Sequence, residues 1–266
     1  MSSTRVGFVG AGRMGRPMVE RLAAAGHDLI VHARRPPARD ALVAAGIRAT
    51  GDLAELAHDR DVVLICVFDD EQLAEVAGRV AAALPTGAVL ASHATGRPAT
   101  LTALARHFPG IGVLDAAVSG RPDDIRAGRL TVLLGGRPEY RATVAPVLRA
   151  YAEPVIETGE LGSALTLKLV NNVLMAANSQ LVAAAVRFGE ELGIDSGALL
   201  AALEHLSGGS QASHHAAQDA TLAAYAERVV AFLRKDVASC VAQARERGAD
   251  PGLLLDVIER GELTLT

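Results

Sequence analysis

The chain has 266 residues, half of them hydrophobic, with 26 basic and 30 acidic side chains and a formal charge of −4. That length permits one large domain or two medium ones, and the mild acidity argues against a nucleic-acid partner, which a basic stripe would attract. Cys66 and Cys240, the two cysteines, provide no disulfide framework and fit a reducing, cytoplasmic setting. Arg5 leads straight into a strand-like VGFV run, so no secretory leader is expected. The uncharged stretch from Leu169 to Val186 carries Asn171, Asn172, Asn178, Ser179 and Gln180. Those groups are costly in lipid, so it reads as a buried helix and no membrane partner is expected.

The first part alternates short apolar runs with amphipathic stretches. Strands are expected at Val6–Val9, Leu29–His32, Val62–Val67, Ala88–Ala91, Gly112–Leu114 and Thr131–Leu134, with helices over Met14–Ala25, Glu71–Leu84 and Ala99–Arg106 between them. Alternation of this kind indicates βαβ units on a parallel sheet. After Gly162 the strand signals stop and alanine- and leucine-rich helical patterns take over. A long helix is expected from about Ser163 to Leu192, followed by shorter ones broken at Gly193, Ser207–Ser210, Gly248 and Pro251. The expected fold is thus α/β, a Rossmann-type doubly wound parallel sheet over residues 1–160, then an all-helical domain over 161–266 that serves substrate binding and dimerisation.

Gly10, Gly12 and Gly15 form G-x-G-x-x-G directly after the first strand and at the start of a helix. The first glycine permits a tight turn, the second lets a pyrophosphate approach the backbone, and the third lets helix and strand pack closely. Ala11, Arg13 and Met14 complete the phosphate loop. The second strand ends at His32 and runs into Ala33-Arg34-Arg35, while Asp28 stands at its start. Two arginines where an acid would bind the ribose of NAD suit a 2′-phosphate, which favours NADP(H) over NAD(H). The loop Val67-Phe68-Asp69-Asp70 should border the adenosine half, where Phe68 either packs on the cofactor or on its own domain.

Asp115 to Arg121 ends a strand and enters a loop in which Ser119 lacks the setting of a hydrolase nucleophile. Ser119 and the Gly120 amide are placed to donate hydrogen bonds to a substrate carboxylate, with Arg121 beside them. On the long helix Lys168, Asn172, Met175 and Ser179 share one face, and Leu165, Leu169, Val173 and Ala176 share another. A polar strip on an apolar helix reads equally as a site facing an inter-domain cleft or as a lysine reaching to water with asparagines tying helices together. Burial would lower the lysine pKa into the range useful for proton transfer. Only two of the 26 basic residues are lysines, Lys168 and Lys235.

Together these segments resemble the β-hydroxyacid dehydrogenase family, typified by 3-hydroxyisobutyrate dehydrogenase and the glyoxylate and succinic semialdehyde reductases. The run Gly10-Ala11-Gly12-Arg13-Met14-Gly15-Arg16-Pro17-Met18 matches its phosphate loop, Asp115–Gly120 its substrate loop, Gly159–Asn172 its catalytic helix, and Lys235-Asp236 its K-D pair. The resemblance implies a small β-hydroxyacid interconverted with its semialdehyde or keto form. It makes Lys168 the proton-transfer residue, Asn172 the substrate orienter, Ser119 and Gly120 the carboxylate seat, and puts Thr95 and Lys235 near the cofactor. Departures are Ala117 for a proline, Arg121 for a second glycine, Ala94-Thr95 for a serine-threonine, and Arg228 for an aromatic. His93 and Arg121 could recognise a more anionic group or simply face solvent. An imine reductase keeps the same fold but usually has an acid or tyrosine at the lysine position, and a non-catalytic NADP-binding regulator is the remaining alternative. No histidine, cysteine or acid spacing suggests a metal site. A homo-oligomer, dimer or tetramer, is expected of the alanine- and leucine-rich helical part, with a small anionic molecule as partner.

Overall fold

The computed structural model describes residues 4–219 and 221–265. In chain order it forms β1 (Arg5–Val9), α1 (Gly15–Ala24), β2 (Asp28–His32), α2 (Pro36–Ala44), β3 (Arg48–Thr50), α3 (Leu53–Ala57), β4 (Val62–Ile65), α4 (Asp70–Ala83), β5 (Val89–Ser92), α5 (Pro98–His107), β6 (Gly112–Ser119), α6 (Pro122–Arg126), β7 (Leu130–Gly135), α7 (Pro138–Leu148) and β8 (Ala152–Gly159). Five helices follow: α8 (Ser163–Glu191), α9 (Ser196–Leu203), α10 (Gln211–Gln218), α11 (Leu222–Glu246) and α12 (Leu253–Arg260).

One sheet of eight strands runs in the order β3-β2-β1-β4-β5-β6-β7-β8. The first six are parallel, β7 runs antiparallel to β6, and β8 runs parallel to β7. Strands β1, β4 and β5 are buried on both faces, which is why their sequences read as unbroken apolar runs. Two apolar layers cover the sheet, one containing Phe8, Met18, Leu64 and Tyr151, the other Ile65, Leu73, Leu90 and Leu165. Two strands escape the sequence reading. β3 is a three-residue edge strand with Arg48 exposed, and β8 is an edge strand carrying Glu153, Pro154 and Glu157 outward.

Contacts group the chain into two compact units, Met1–Lys168 and Leu169–Thr266. The division falls inside α8 rather than at residue 160, because Ala164 and Leu165 in its first turn belong to a core layer of the sheet. In the second unit Val173, Ala176, Ala177, Val182 and Val186 of α8 pack with Tyr225, Val229, Leu233 and Val237 of α11. The helices after Gly193 are not all short: α11 has 25 residues. By length and composition α8 could cross a membrane, yet Asn171, Asn172, Ser179 and Gln180 have protein partners. Ser179 Oγ lies 2.7 Å from Tyr225 Oη, and the Gln180 amide donates to the Ile258 and Leu263 carbonyls while accepting from the Leu263 N–H. On another side of α8, Leu167, Leu174, Leu181 and Phe188 recur every seven residues and are all exposed.

Candidate active site

Strand register brings the loops after β1, β2, β4 and β5 to one edge of the sheet. Val9 stands level with His32 and Ile65, and Ile65 with Ser92. The strand order reverses between β2-β1 and β4, so the crevice at this carboxyl edge is the switch point where doubly wound sheets bind ligands.

The three glycines of the first loop differ in what their missing side chains permit. Gly10 has φ +98°, and a Cβ there would sit 2.2 Å from the Cys66 carbonyl oxygen. A Cβ on Gly15 would sit 2.0 Å from the Gly10 carbonyl oxygen. Around Gly12 a Cβ would meet nothing within 4 Å. Two glycines therefore hold the turn together, and the third leaves open space above the backbone. No side chain caps α1 and its first turn carries no acid, whereas α4 is capped by Asp69 and opens with Asp70 and Glu71. An open, uncapped helix N-terminus behind a glycine turn fits a dinucleotide diphosphate.

Arg34 and Arg35 are exposed at the tip of β2, and Arg39 Nη1 donates to the carbonyls of Ala33 and Arg34 at 2.9 and 3.0 Å, fixing that loop. Asp28 is level with Arg5 at the opposite edge and pairs with Arg48 and Arg60, so it is not available to a ribose at the switch point. Phe68 is 66% exposed, which excludes packing in its own core. Thr95 and Val67 are half-buried at the same edge. Asp70, two residues after Phe68, accepts hydrogen bonds from the Arg97 N–H and the Thr100 hydroxyl, and so ties the β5–α5 turn that carries Thr95.

His93 neither faces solvent nor lines a substrate pocket. It is 3% exposed. Its Nδ1 lies 2.6 Å from the Ala116 carbonyl, which can only accept, so Nδ1 carries the proton and Nε2 accepts from the Tyr151 hydroxyl at 2.8 Å. Burial lowers the His93 pKa to about 4, and burial likewise raises the hydroxyl of Tyr151 and pushes the Cys66 thiol up to about 12.

β6 runs four residues past Asp115, which is level with Ser92, because Ala116–Ser119 pair with Thr131–Leu134 of β7. Ser119 is half-buried at its end, Gly120 follows at φ +140°, and the Arg121 N–H is held by Asp124 Oδ2 at 2.8 Å. Asp115, which the sequence reading did not single out as a site residue, is fully buried. Its two oxygens accept from the N–H groups of Gly162 and Leu165, each at 2.9 Å. Desolvation raises its pKa against those bonds. Gly135 makes room for it, since a Cβ there would lie 2.4 Å from Asp115 Oδ1. Asp115 thus seats the first turn of α8, and Lys168, half-buried, follows in the second.

In the helical unit Asn172 is 5% exposed, and its Nδ2 donates to Asp236 Oδ2 at 2.6 Å. Asn172 Oδ1 accepts from Asn171 at 3.0 Å. Lys235 Nζ lies 3.8 Å from Asp236 Oδ1. Arg228 is engaged by Asp219 Oδ2 at 2.5 and 2.8 Å, with its guanidinium 5.5 Å from the centre of the Tyr225 ring. Among the described residues no cluster of histidine, cysteine and acid could hold a metal ion.

The family model for the NAD-binding domain of 6-phosphogluconate dehydrogenase matches residues 5–162, and that for the NAD-binding region of NADP-dependent 3-hydroxyisobutyrate dehydrogenase matches 162–261. The chain belongs to the β-hydroxyacid dehydrogenase family, NAD(P)-dependent oxidoreductases acting on CH–OH groups. An uncharacterized oxidoreductase of Synechocystis is 28% identical over 96% of this chain and 90% of its own. The mitochondrial 3-hydroxyisobutyrate dehydrogenase of Bos taurus is 30% identical over 78% of this chain and 63% of its own length. Among solved structures, Mycobacterium tuberculosis 3-hydroxyisobutyrate dehydrogenase with L-serine superposes with a TM-score of 0.85 at 23% identity, covering 97% of this chain and 92% of that one. An imine reductase variant from Myxococcus stipitatus superposes at 0.66 and 19% identity, covering 97% and 92%, so the fold is shared with that chemistry too.

Proposed function

We propose that the protein is an NADP-dependent oxidoreductase that interconverts a small β-hydroxyacid and its semialdehyde or keto form. The observation that supports this reading is the engagement of Asn172 by buried Asp236 at 2.6 Å, one helical turn after Lys168 and with Lys235 beside the same carboxylate. One of the two lysines of an otherwise arginine-based chain thus stands beside the carboxylate that fixes Asn172, and the other lies four residues before Asn172 on the same helix. The open backbone at Gly12 and the uncapped start of α1 would hold the diphosphate, and Arg34 and Arg35 the 2′-phosphate. Bound there, the cofactor supplies or accepts a hydride.

The chain's own groups do the rest. The Ser119 hydroxyl and the Gly120 amide donate to the substrate carboxylate. Asn172, locked by Asp236, orients the substrate oxygen. In reduction the Lys168 ammonium gives its proton to the forming alkoxide, and in oxidation the neutral amine takes the hydroxyl proton. Positioned acid–base help of this kind is worth about 10²–10⁴ in rate. The exposed seven-residue repeat on α8 supports assembly with a second copy.

One titration tests the mechanism and the cofactor together. In Lys168→Ala, NADPH should still bind, and more tightly than NADH, while turnover of semialdehydes falls about 10²–10⁴-fold. Near-normal turnover would remove Lys168 from the mechanism. Equal binding of the two cofactors would remove the role of Arg34 and Arg35, and faster reduction of a cyclic imine by the unmodified protein would favour the imine-reducing alternative.

A further inference from the structure

Helix α5 begins without a cap of its own. Its N-cap residue, Arg97, has extended backbone and supplies no side-chain cap. The start of α4 makes up for this. Asp70 Oδ1 accepts from the Arg97 N–H at 3.2 Å, and Asp70 Oδ2 accepts from the Thr100 hydroxyl at 2.7 Å. Arg97 and Thr100 are the N-cap and N3 positions, which a capping box joins within a single helix. Here a carboxylate from the neighbouring helix joins them. Gly96 admits it, since a Cβ there would lie 2.3 Å from Asp70 Oδ1. The other flank of the same turn meets the residue before α8: Gly162 has φ +93°, and a Cβ there would lie 2.8 Å from the Cβ of Pro98. The N–H of that glycine is the one that Asp115 holds at 2.9 Å. The turn from Thr95 to Pro98 is therefore wedged between the starts of α4 and α8, at two positions where a side chain would not fit. Every residue of this contact belongs to the α/β unit.

We infer that Asp70 is a positioning residue for hydride transfer. By fixing the β5–α5 turn it sets Thr95, and with it the nicotinamide half of the cofactor, against the start of the helix that carries Lys168. The inference rests on the oxidoreductase reading above and on Thr95 bordering the nicotinamide. Asp70 acts through the turn rather than on a reacting atom. The other half of the cofactor has its supports elsewhere, the diphosphate on the turn after β1 and the 2′-phosphate on the turn after β2. Loosening the β5–α5 turn then leaves the adenosine half bound and lets the ring drift, and a drift of about an ångström costs up to about a hundredfold in rate. A carboxylate suits the task because charged acceptors make bonds about twice as strong as neutral ones, while an amide oxygen at the same place still takes the Arg97 N–H. The competing reading is that Asp70 only stabilises the start of α5, as any cap does.

The test compares the whole protein with Asp70→Ala, Asp70→Asn and Thr100→Val, the last removing one of the two donors while keeping the shape. Calorimetry measures binding of NADP⁺, or of NAD⁺ if that binds more tightly, against the matching ADP-ribose fragment that lacks nicotinamide. In Asp70→Ala the dinucleotide should bind about tenfold more weakly while the fragment binds as before. Thr100→Val should shift the same comparison by less, and Asp70→Asn should recover most of the loss. With a semialdehyde, kcat should fall about 10- to 100-fold in Asp70→Ala, and KM for the semialdehyde should hold, because Ser119 and Gly120 are untouched. Equal weakening of dinucleotide and fragment, or no weakening of either, overturns the inference and leaves Asp70 a cap. So does a lowered denaturant midpoint with unchanged kcat, or an Asp70→Asn protein as impaired as Asp70→Ala. If Asp70→Ala does not fold, Thr100→Val decides by the same comparison. Should no hydroxyacid or semialdehyde turn over in the unmodified protein, the oxidoreductase reading fails, and the calorimetric comparison still decides whether Asp70 sets the ring.

Discussion

Each compact unit contains a buried carboxylate, and the two are held in different ways. Asp115 of the α/β unit is met by backbone N–H groups of Gly162 and Leu165, whereas Asp236 of the helical unit is met by side chains, Asn172 and Lys235. Backbone donors cannot be exchanged by mutation, so Asp115 fixes where a helix begins. Side-chain donors can be exchanged, so Asp236 fixes how two particular residues are aimed. The first arrangement is architecture, and the second takes part in the chemistry under the proposed function.

Removing each carboxylate's hold should separate these roles. Asp115→Ala leaves two buried N–H groups without an acceptor, and at about 2 kcal/mol for each such bond the unfolding free energy should drop by about 4 kcal/mol. The denaturant midpoint at unchanged m-value reads this, and a loss below about 1 kcal/mol would mean that the start of α8 is held by packing alone. Asn172→Ala removes one charge-assisted bond and should cost about 2 kcal/mol, but it should lower kcat further than that stability loss explains. Equal damage to folding and no separate damage to turnover would make the Asn172–Asp236 pair structural like Asp115.

A third buried group gives the smallest effect and a sign. His93 is neutral in the fold, with a pKa of about 4, against roughly 6.5 in the unfolded chain. Between these values the unfolded chain binds more protons, so the stabilisation is complete above about pH 6.5 and lost as pH falls toward 4. By pH 5 the loss should be about 2 kcal/mol, seen as a falling denaturant midpoint whose slope flattens in His93→Leu. An unchanged slope in that variant would assign the pH dependence elsewhere.

Much of this was legible in the chain. Strands β1, β4 and β5 announce themselves because both faces are buried, and the glycine loop because its chemistry lies within six residues. The apolar face expected on α8 is realised, with Leu165, Leu169, Val173 and Ala176 all buried. What was not legible depends on distant partners. Asp115 meets its donors 47 and 50 residues away, and Asn172 meets Asp236 64 residues away. His93 follows a strand and shows no local sign that a carbonyl from β6 and a tyrosine before β8 will enclose it. The edge strands were missed because an edge exposes polar residues that look like loop.

The carbonyl that leaves no space for a side chain at Gly10 belongs to Cys66, whose thiol is pushed up to about 12 by desolvation. At neutral pH such a sulfur stays protonated. The turn proposed to cradle the coenzyme is therefore backed by a sulfur held as the thiol, the form that reacts more slowly with alkylating reagents and peroxide.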